Sequence, residues 1–377
     1  FTSYAKYNYL VPEAQSLTPL RKGTERFLVA PEEPYRTFVF QPYASGFDTI
    51  PQVAAGTLPV MFLKSQHLSK TLFECFIPDT KYYPPILNAL GFLAPRLGPP
   101  KADTIWVYPE DNKSMPGLME VPQVLCYQDE TGGLDAIAGR ESARQWFGSL
   151  ARPATDREFW LLDALPDYLG LLVVRANLDP GIFFGELERR KDAVKRAMDL
   201  HYDQPLGTGA RVASDLRTAK GTWLLHMLRV LMYDETKNSD RTFWKFVRGL
   251  NQLVNTQSFT NADVIRLAEK HYGGSLDWFF RQWLFGRLIP KYEVKYAIKK
   301  QSDGYHITGS VACRRVAKDF SMPVLMRVNF EDGTTTLVRQ RVKDGSRLAL
   351  GPFPTKPKEL IFNELFSVLC DAKVKKK

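Results

Sequence analysis

The chain is short of the features that would make several functional classes easy to recognise. Only four cysteines occur, Cys75, Cys126, Cys313 and Cys370, and none forms a C-x-x-C pair. That excludes a zinc knuckle and a thioredoxin-like motif, and leaves buried thiols or up to two long-range disulfides. The five histidines, His67, His201, His226, His271 and His306, include no pair at i, i+4. The longest apolar stretch, Leu169–Val174, falls far short of the ~20 residues that a membrane helix needs. There is no Walker loop, no G-x-S-x-G elbow and no G-x-G-x-x-G after a strand. No self-similarity at 20–50 residues marks a solenoid or propeller.

What is present is an ordinary globular balance, 44% hydrophobic and 24% charged over 377 residues. That length suits two or three domains, and that apolar content can offset the ordering entropy of a core. The formal charge of +10 includes four lysines in the last five residues, Lys373, Lys375, Lys376 and Lys377. The remainder is dispersed, and the aromatics are not interleaved with basic residues. A nucleic-acid partner is therefore not favoured. The final run reads as a loose basic tail. The start, Phe1-Thr2-Ser3-Tyr4, reads as trimmed or excised. That leaves the compartment open, a removed signal peptide or membrane segment included.

Texture divides the chain into three. Residues 1–75 form a β-rich segment, with strands expected at Arg26–Val29, Arg36–Phe40 and Leu58–Leu63 between frequent Pro and Gly. Residues 76–288 begin with a helix at Pro84–Leu93 and strands at Thr104–Tyr108 and Val124–Tyr127. Helices follow at Gly139–Ser149 and at about 157–175, 179–201, 212–234, 240–254, 260–272 and 275–285. Asp179 is placed as an N-cap ahead of Pro180. The 212–234 helix is apolar nearly all round, so it should be buried, with His226 a core or hydrogen-bonding residue. Residues 289–372 hold several alternating segments and an Asp332-Gly333 hairpin signal, which read as a β-sandwich. Residues 373–377 are the basic tail. The class expected is multidomain α+β.

Residues Arg140–Gly148 carry the most specific signal. Glu141 and Gln145-Trp146-Phe147-Gly148 match the motif H-E-x-x-H-Q-W-F-G, and the chain resembles the aminopeptidase N family of gluzincin metallopeptidases. Trp160–Tyr168 is similar to that family's W-L-N-E-G-F-A-x-Y. Gly117, Met119 and Glu120 resemble its G-x-M-E-N block, and Lys220-Gly221 its Y-x-K-G helix start. Order and spacing agree across about residues 30–290. The resemblance implies a thermolysin-like peptidase domain followed by an Ig-like antiparallel sandwich. It also makes residues 1–75 the remnant of a larger saddle-shaped β domain, whose missing strands come from the full-length chain or a partner.

In the family, two histidines on one helical face and a downstream glutamate bind zinc. The glutamate inside the motif activates the metal-bound water. A tyrosine stabilises the oxyanion, and the glutamate of G-x-M-E-N holds the substrate's amino group. Here the histidine positions are Arg140 and Arg144, whose guanidiniums stay protonated and offer no lone pair. The third ligand position is Asp163 and the oxyanion position is Thr218. Glu141 survives as a vestigial general base, and Glu120, with Met119 and Gly117, at the substrate-binding block.

The expectation is a pseudopeptidase acting as a binding or scaffold module for a protein or peptide, with no cofactor. Arg140 and Arg144 would fill the former metal pocket, paired with Glu141, Asp163 or Glu120. The alternative is an active metallo-aminopeptidase holding zinc through non-standard ligands. A third reading has the arginines binding an anion in a retained groove.

Overall fold

The computed structural model describes residues 2–4, 9–10, 14–21, 24–29, 43–44, 47–54, 56–65, 83–100, 102–108, 118–120, 133–147, 153–209, 212–256 and 258–377. The expected strands Arg36–Phe40 and Val124–Tyr127, together with Gly117, Gly148, His67, Cys75 and Cys126, lie outside them. Within the described residues the chain is mixed α/β, with eight α-helices and five sheets. No helix among them is long and apolar enough to cross a membrane.

The chain forms two compact units, interleaved in sequence. The first comprises Phe1–Ala154, Leu165–Glu186 and Arg248–Phe259. Its early strands are β1 (Thr2–Tyr4), β2 (Tyr9–Leu10), β3 (Ala14–Arg21), β4 (Thr24–Val29) and β5 (Tyr43–Ala44). A four-stranded sheet follows, ordered β6 (Phe47–Ala54), β7 (Leu58–Ser65), β8 (Ile105–Tyr108), β9 (Leu118–Glu120). β6 and β7 are an antiparallel hairpin, whereas β7, β8 and β9 run parallel. Parallel neighbours need a crossover, and α1 (Tyr83–Leu97) is the crossover between β7 and β8. Its buried positions Ile86, Ala89, Leu90, Leu93 and Leu97 recur at helical spacing. Pro84 and Pro85 sit in the first turn, where a missing N–H costs nothing. Gly98, at φ +87°, ends the helix in a left-handed conformation.

α2 (Gly133–Phe147) begins six residues before the Gly139 start expected from sequence. It crosses α3 (Phe159–Asn177) at a glycine pair: a Cβ on Gly139 would lie 2.8 Å from the Gly170 Cα, and one on Gly170 would lie 2.7 Å from the Ala136 oxygen and the Arg140 nitrogen. These two backbones touch because neither glycine has a side chain.

The second unit comprises Thr155–Ala164, Leu187–Val247 and Thr260–Lys377. α4 (Pro180–Asp199) starts as its sequence implies, with the Asp179 carboxylate accepting from the Gly181 N–H at 2.7 Å. α5 (Ser214–Leu231) is buried along nearly its whole length. It approaches α3 at Gly221, where a Cβ would lie 2.5 Å from that of Ala164. α6 (Arg241–Thr256) is followed by α7 (Asn261–Tyr272), which is capped by a reciprocal Thr260–Asp263 box and closed by Gly273 at φ +82°. The Glu158 carboxylate accepts the Asn261 N–H at 3.0 Å, and the Trp160 indole donates to the Asn261 side chain at 2.8 Å. α8 (Asp277–Trp283) is the last helix.

Seven strands complete the chain: β10 (Lys291–Gln301), β11 (Gly304–Arg314), β12 (Met322–Phe330), β13 (Thr335–Val342), β14 (Ser346–Phe353), β15 (Pro357–Phe362) and β16 (Asp371–Lys376). They make one sheet ordered β14-β11-β10-β16 and another ordered β13-β12-β15. Tyr292, Val294 and Tyr296 alternate as the buried face of β10. Their inner sides meet those of the other sheet: the Tyr292 and Phe362 rings are 5.3 Å apart, and the Tyr296 hydroxyl accepts the Leu360 N–H at 3.1 Å.

One expectation is corrected here. The C-terminal lysines are not a loose tail. Residues 371–376 pair in parallel with Lys291–Tyr296, so the sheet is not wholly antiparallel. The residues after Asp371 are exposed on both faces, so pairing uses their backbones without burying ammonium groups, and lysines suit a sheet edge. Of the two alternatives that the sequence left open for the cysteines, Cys313 and Cys370 take the first: both are free, buried thiols. Cys313 faces Tyr292 across β11–β10, and Cys370 precedes β16 on the other side of β10. Two strand spacings, about 9–10 Å, separate them, beyond the ~7 Å Cα separation that a disulfide spans.

Candidate functional site

Three of the residues singled out in the sequence come together on α2. The Arg140 guanidinium donates through Nε to Glu141 Oε1 at 2.8 Å, and Arg144 Nε lies 3.3 Å from Glu141 Oε2. Glu141 is 3% exposed, so a lone carboxylate there would be poorly solvated. The two cations, each reaching solvent in part, compensate it from either side. One carboxylate between two guanidiniums leaves the cluster with a net charge of +1.

The rest of the motif anchors the helix. The Trp146 indole donates to the Gly98 carbonyl at 2.9 Å. Asn255 donates to the Trp146 carbonyl at 2.9 Å, satisfying an orphan acceptor in the last turn of α2. Ala143, Trp146 and Phe147 are buried. Trp146 and Phe147 are thus accounted for by packing, apart from any chemistry.

Asp163, on α3, has a partner that sequence reasoning missed. Arg217 Nε donates to its carboxylate at 2.6 Å, while Arg217 Nη1 donates to the Val212 carbonyl at 2.6 Å. The signal was Arg217 itself, a cation in the first turn of α5 beside Thr218. Thr218 turns back on its own helix, its hydroxyl donating to the Ser214 carbonyl at 2.9 Å. Met119 and Glu120 lie on β9, with Glu120 paired in register to Tyr108.

Lys220 is buried, and its ammonium donates to the Gly286 carbonyl at 2.5 Å. Burial pushes it down to about 8, with Asp203 opposing the shift and Arg287 adding to it. His226 is also buried, its Nε2 2.8 Å from the Leu365 carbonyl and its ring edge-on to Trp223.

The donor chemistry does not fit a zinc ion. The guanidiniums of Arg140 and Arg144 have no lone pair, and Glu141 is occupied by both. Among the described residues, no group of three His, Cys, Asp or Glu side chains is arranged to hold a metal.

No family model matches the chain, and no curated protein does. Among solved structures it is similar to aminopeptidase A of Legionella pneumophila, determined in complex with aspartic acid, with a TM-score of 0.69 over 98% of this chain. The fold is peptidase-like. Sequence identity is 13%, so the likeness is one of fold, and the chain spans 43% of that protein's length.

Proposed function

We propose that this chain is a binding or scaffold module on a peptidase-like fold, a metal-site-lacking member of the aminopeptidase N family. The observation that carries the reading is the Arg140–Glu141–Arg144 clamp. It sets permanent cations where the family has neutral imidazoles, and it engages the one surviving catalytic carboxylate. In the family that carboxylate acts as a base on metal-bound water. Here its two oxygens face the guanidiniums of Arg140 and Arg144, at 2.8 and 3.3 Å. Losing two of three ligands removes most of a site's zinc affinity.

The proposal carries a domain layout with it. Residues 1–75 are a remnant of the saddle domain, 76–288 a thermolysin-like domain, and 289–372 an Ig-like sandwich. The partner class is a protein or peptide, and no cofactor is required. Glu120, Met119 and Gly117 form the retained amino-terminus subsite in this reading.

The test is metal content by mass spectrometry after incubation with zinc, alongside hydrolysis of amino-acid p-nitroanilides. Zinc below a tenth of an equivalent and no turnover are expected. Stoichiometric zinc with turnover overturns the reading in favour of an aminopeptidase with unusual ligands.

A further inference from the structure

A cavity of about 190 Å3 lies within the second unit, between the segment that follows α8 and the connection from β11 to β12. Cavities of ~150 Å3 accept a benzene ring, so this one takes a single large side chain. Its apolar lining is Leu288, Val316, Ala317 and Phe320, with Arg281, Arg287 and Asp319 at the walls. Phe285 and Leu288 are 48% and 45% exposed, large values for apolar residues only three positions apart.

Both walls are held in place. Gln282 and Ser321 exchange two hydrogen bonds, one at 3.1 Å from the Gln282 amide to the Ser321 carbonyl and one at 3.0 Å from the Ser321 N–H to Gln282 Oε1. Lys220 holds the Gly286 carbonyl from behind. Such fixed walls lower the ordering cost of binding. The charge on the lining and on the connection beside it is one-sided. Arg281 shares its charge with Asp319 at 3.0 Å, and Arg314 is turned to Glu293 at 3.8 Å. Arg287, with no ion-pair partner among the described residues, is left over on the lining, and Arg315 and Lys318 are exposed in the connection that supplies Val316 and Ala317.

We propose that this groove is a docking site for a peptide segment carrying one aromatic or branched aliphatic residue between acidic ones. The apolar side chain fills the cavity against Phe320 and Leu288, and the flanking carboxylates meet Arg287 and Lys318. The occupant is chosen by charge complementarity: Arg287 on the lining, with the exposed Arg315 and Lys318 in the connection that supplies Val316 and Ala317, favours acidic flanks over neutral or basic ones. The site is distinct from the α2 cluster and does not depend on how that cluster is read.

The test uses the full chain and fluorescein-labelled Asp-Glu-Phe-Glu-Asp, followed by fluorescence anisotropy at physiological salt. Saturable binding is expected, weakened at least tenfold when Gly replaces Phe and abolished when Lys replaces the acidic residues. R287E and A317W are expected to weaken it at least tenfold. Both positions are exposed, and thermal melts check that the variants fold. Absence of saturable binding overturns the proposal. So does equal binding of the Gly peptide, which would mean a general polyanion surface, or indifference to both substitutions in folded protein.

Discussion

Arg217 and Asp163 face each other across α5 and α3 at 2.6 Å, so the carboxylate on one helix is neutralised by a cation from the next. The first-turn location of Arg217 and its second bond to Val212 fix the guanidinium before Asp163 meets it. Both side chains are largely buried. Removing one partner leaves the other charge poorly solvated. R217M and D163N should each destabilise by about 1–3 kcal/mol, and the double variant by less than their sum. Urea denaturation of the four proteins measures the coupling, and strict additivity would show that the pair contributes nothing.

The α2 clamp makes a sharper claim. R144E sets a second carboxylate beside the buried Glu141 and removes one of its two cations. A loss of about 3 kcal/mol is expected. R144K, which keeps charge but not the fork, should cost about 1 kcal/mol. Normal melting of R144E would mean that Arg144 does not compensate Glu141.

The glycines divide into two kinds by what a methyl group would meet. G170A drives a Cβ into the backbone of α2, 2.7 Å from the Ala136 oxygen and the Arg140 nitrogen. It should cost about 1–3 kcal/mol or more. G185A, within α4, meets nothing within 4 Å and should stabilise by about 0.5–1 kcal/mol through helix propensity. Opposite shifts in melting temperature are expected, and shifts of the same sign would refute the close helix crossing.

Lys220 gives stability a pH dependence with a definite sign. Its folded value of about 8 lies below the ordinary 10.5. Between those values the unfolded chain holds the proton and the folded chain does not, so stability rises with pH across the window. Below pH 8 the full penalty of burying the ammonium applies, about 3 kcal/mol at ~1.4 kcal/mol per pH unit. The difference in unfolding free energy between wild type and K220M should therefore move in favour of wild type from pH 8 to 10.5. A constant difference would place the lysine titration outside this range.

The sequence by itself determined the kind and order of the elements wherever local chemistry decides them. Helices α3 to α8 lie within three residues of where apolar period and caps put them, because Asp179, Thr260 and Gly273 act on their own neighbours. It also determined that positions 140 and 144 are cations without lone pairs, a property of arginine in any fold. Tertiary structure decided which carboxylate each cation meets. Arg217 and Asp163 are 54 residues apart, and no periodicity links them. It decided that Gly170 and Gly221 are points of close helix approach, since the need for a missing Cβ depends on what lies opposite. It also turned the final lysines into a strand, because the ladder that holds β16 is supplied by the backbone of β10 and carries no signature in the lysines themselves.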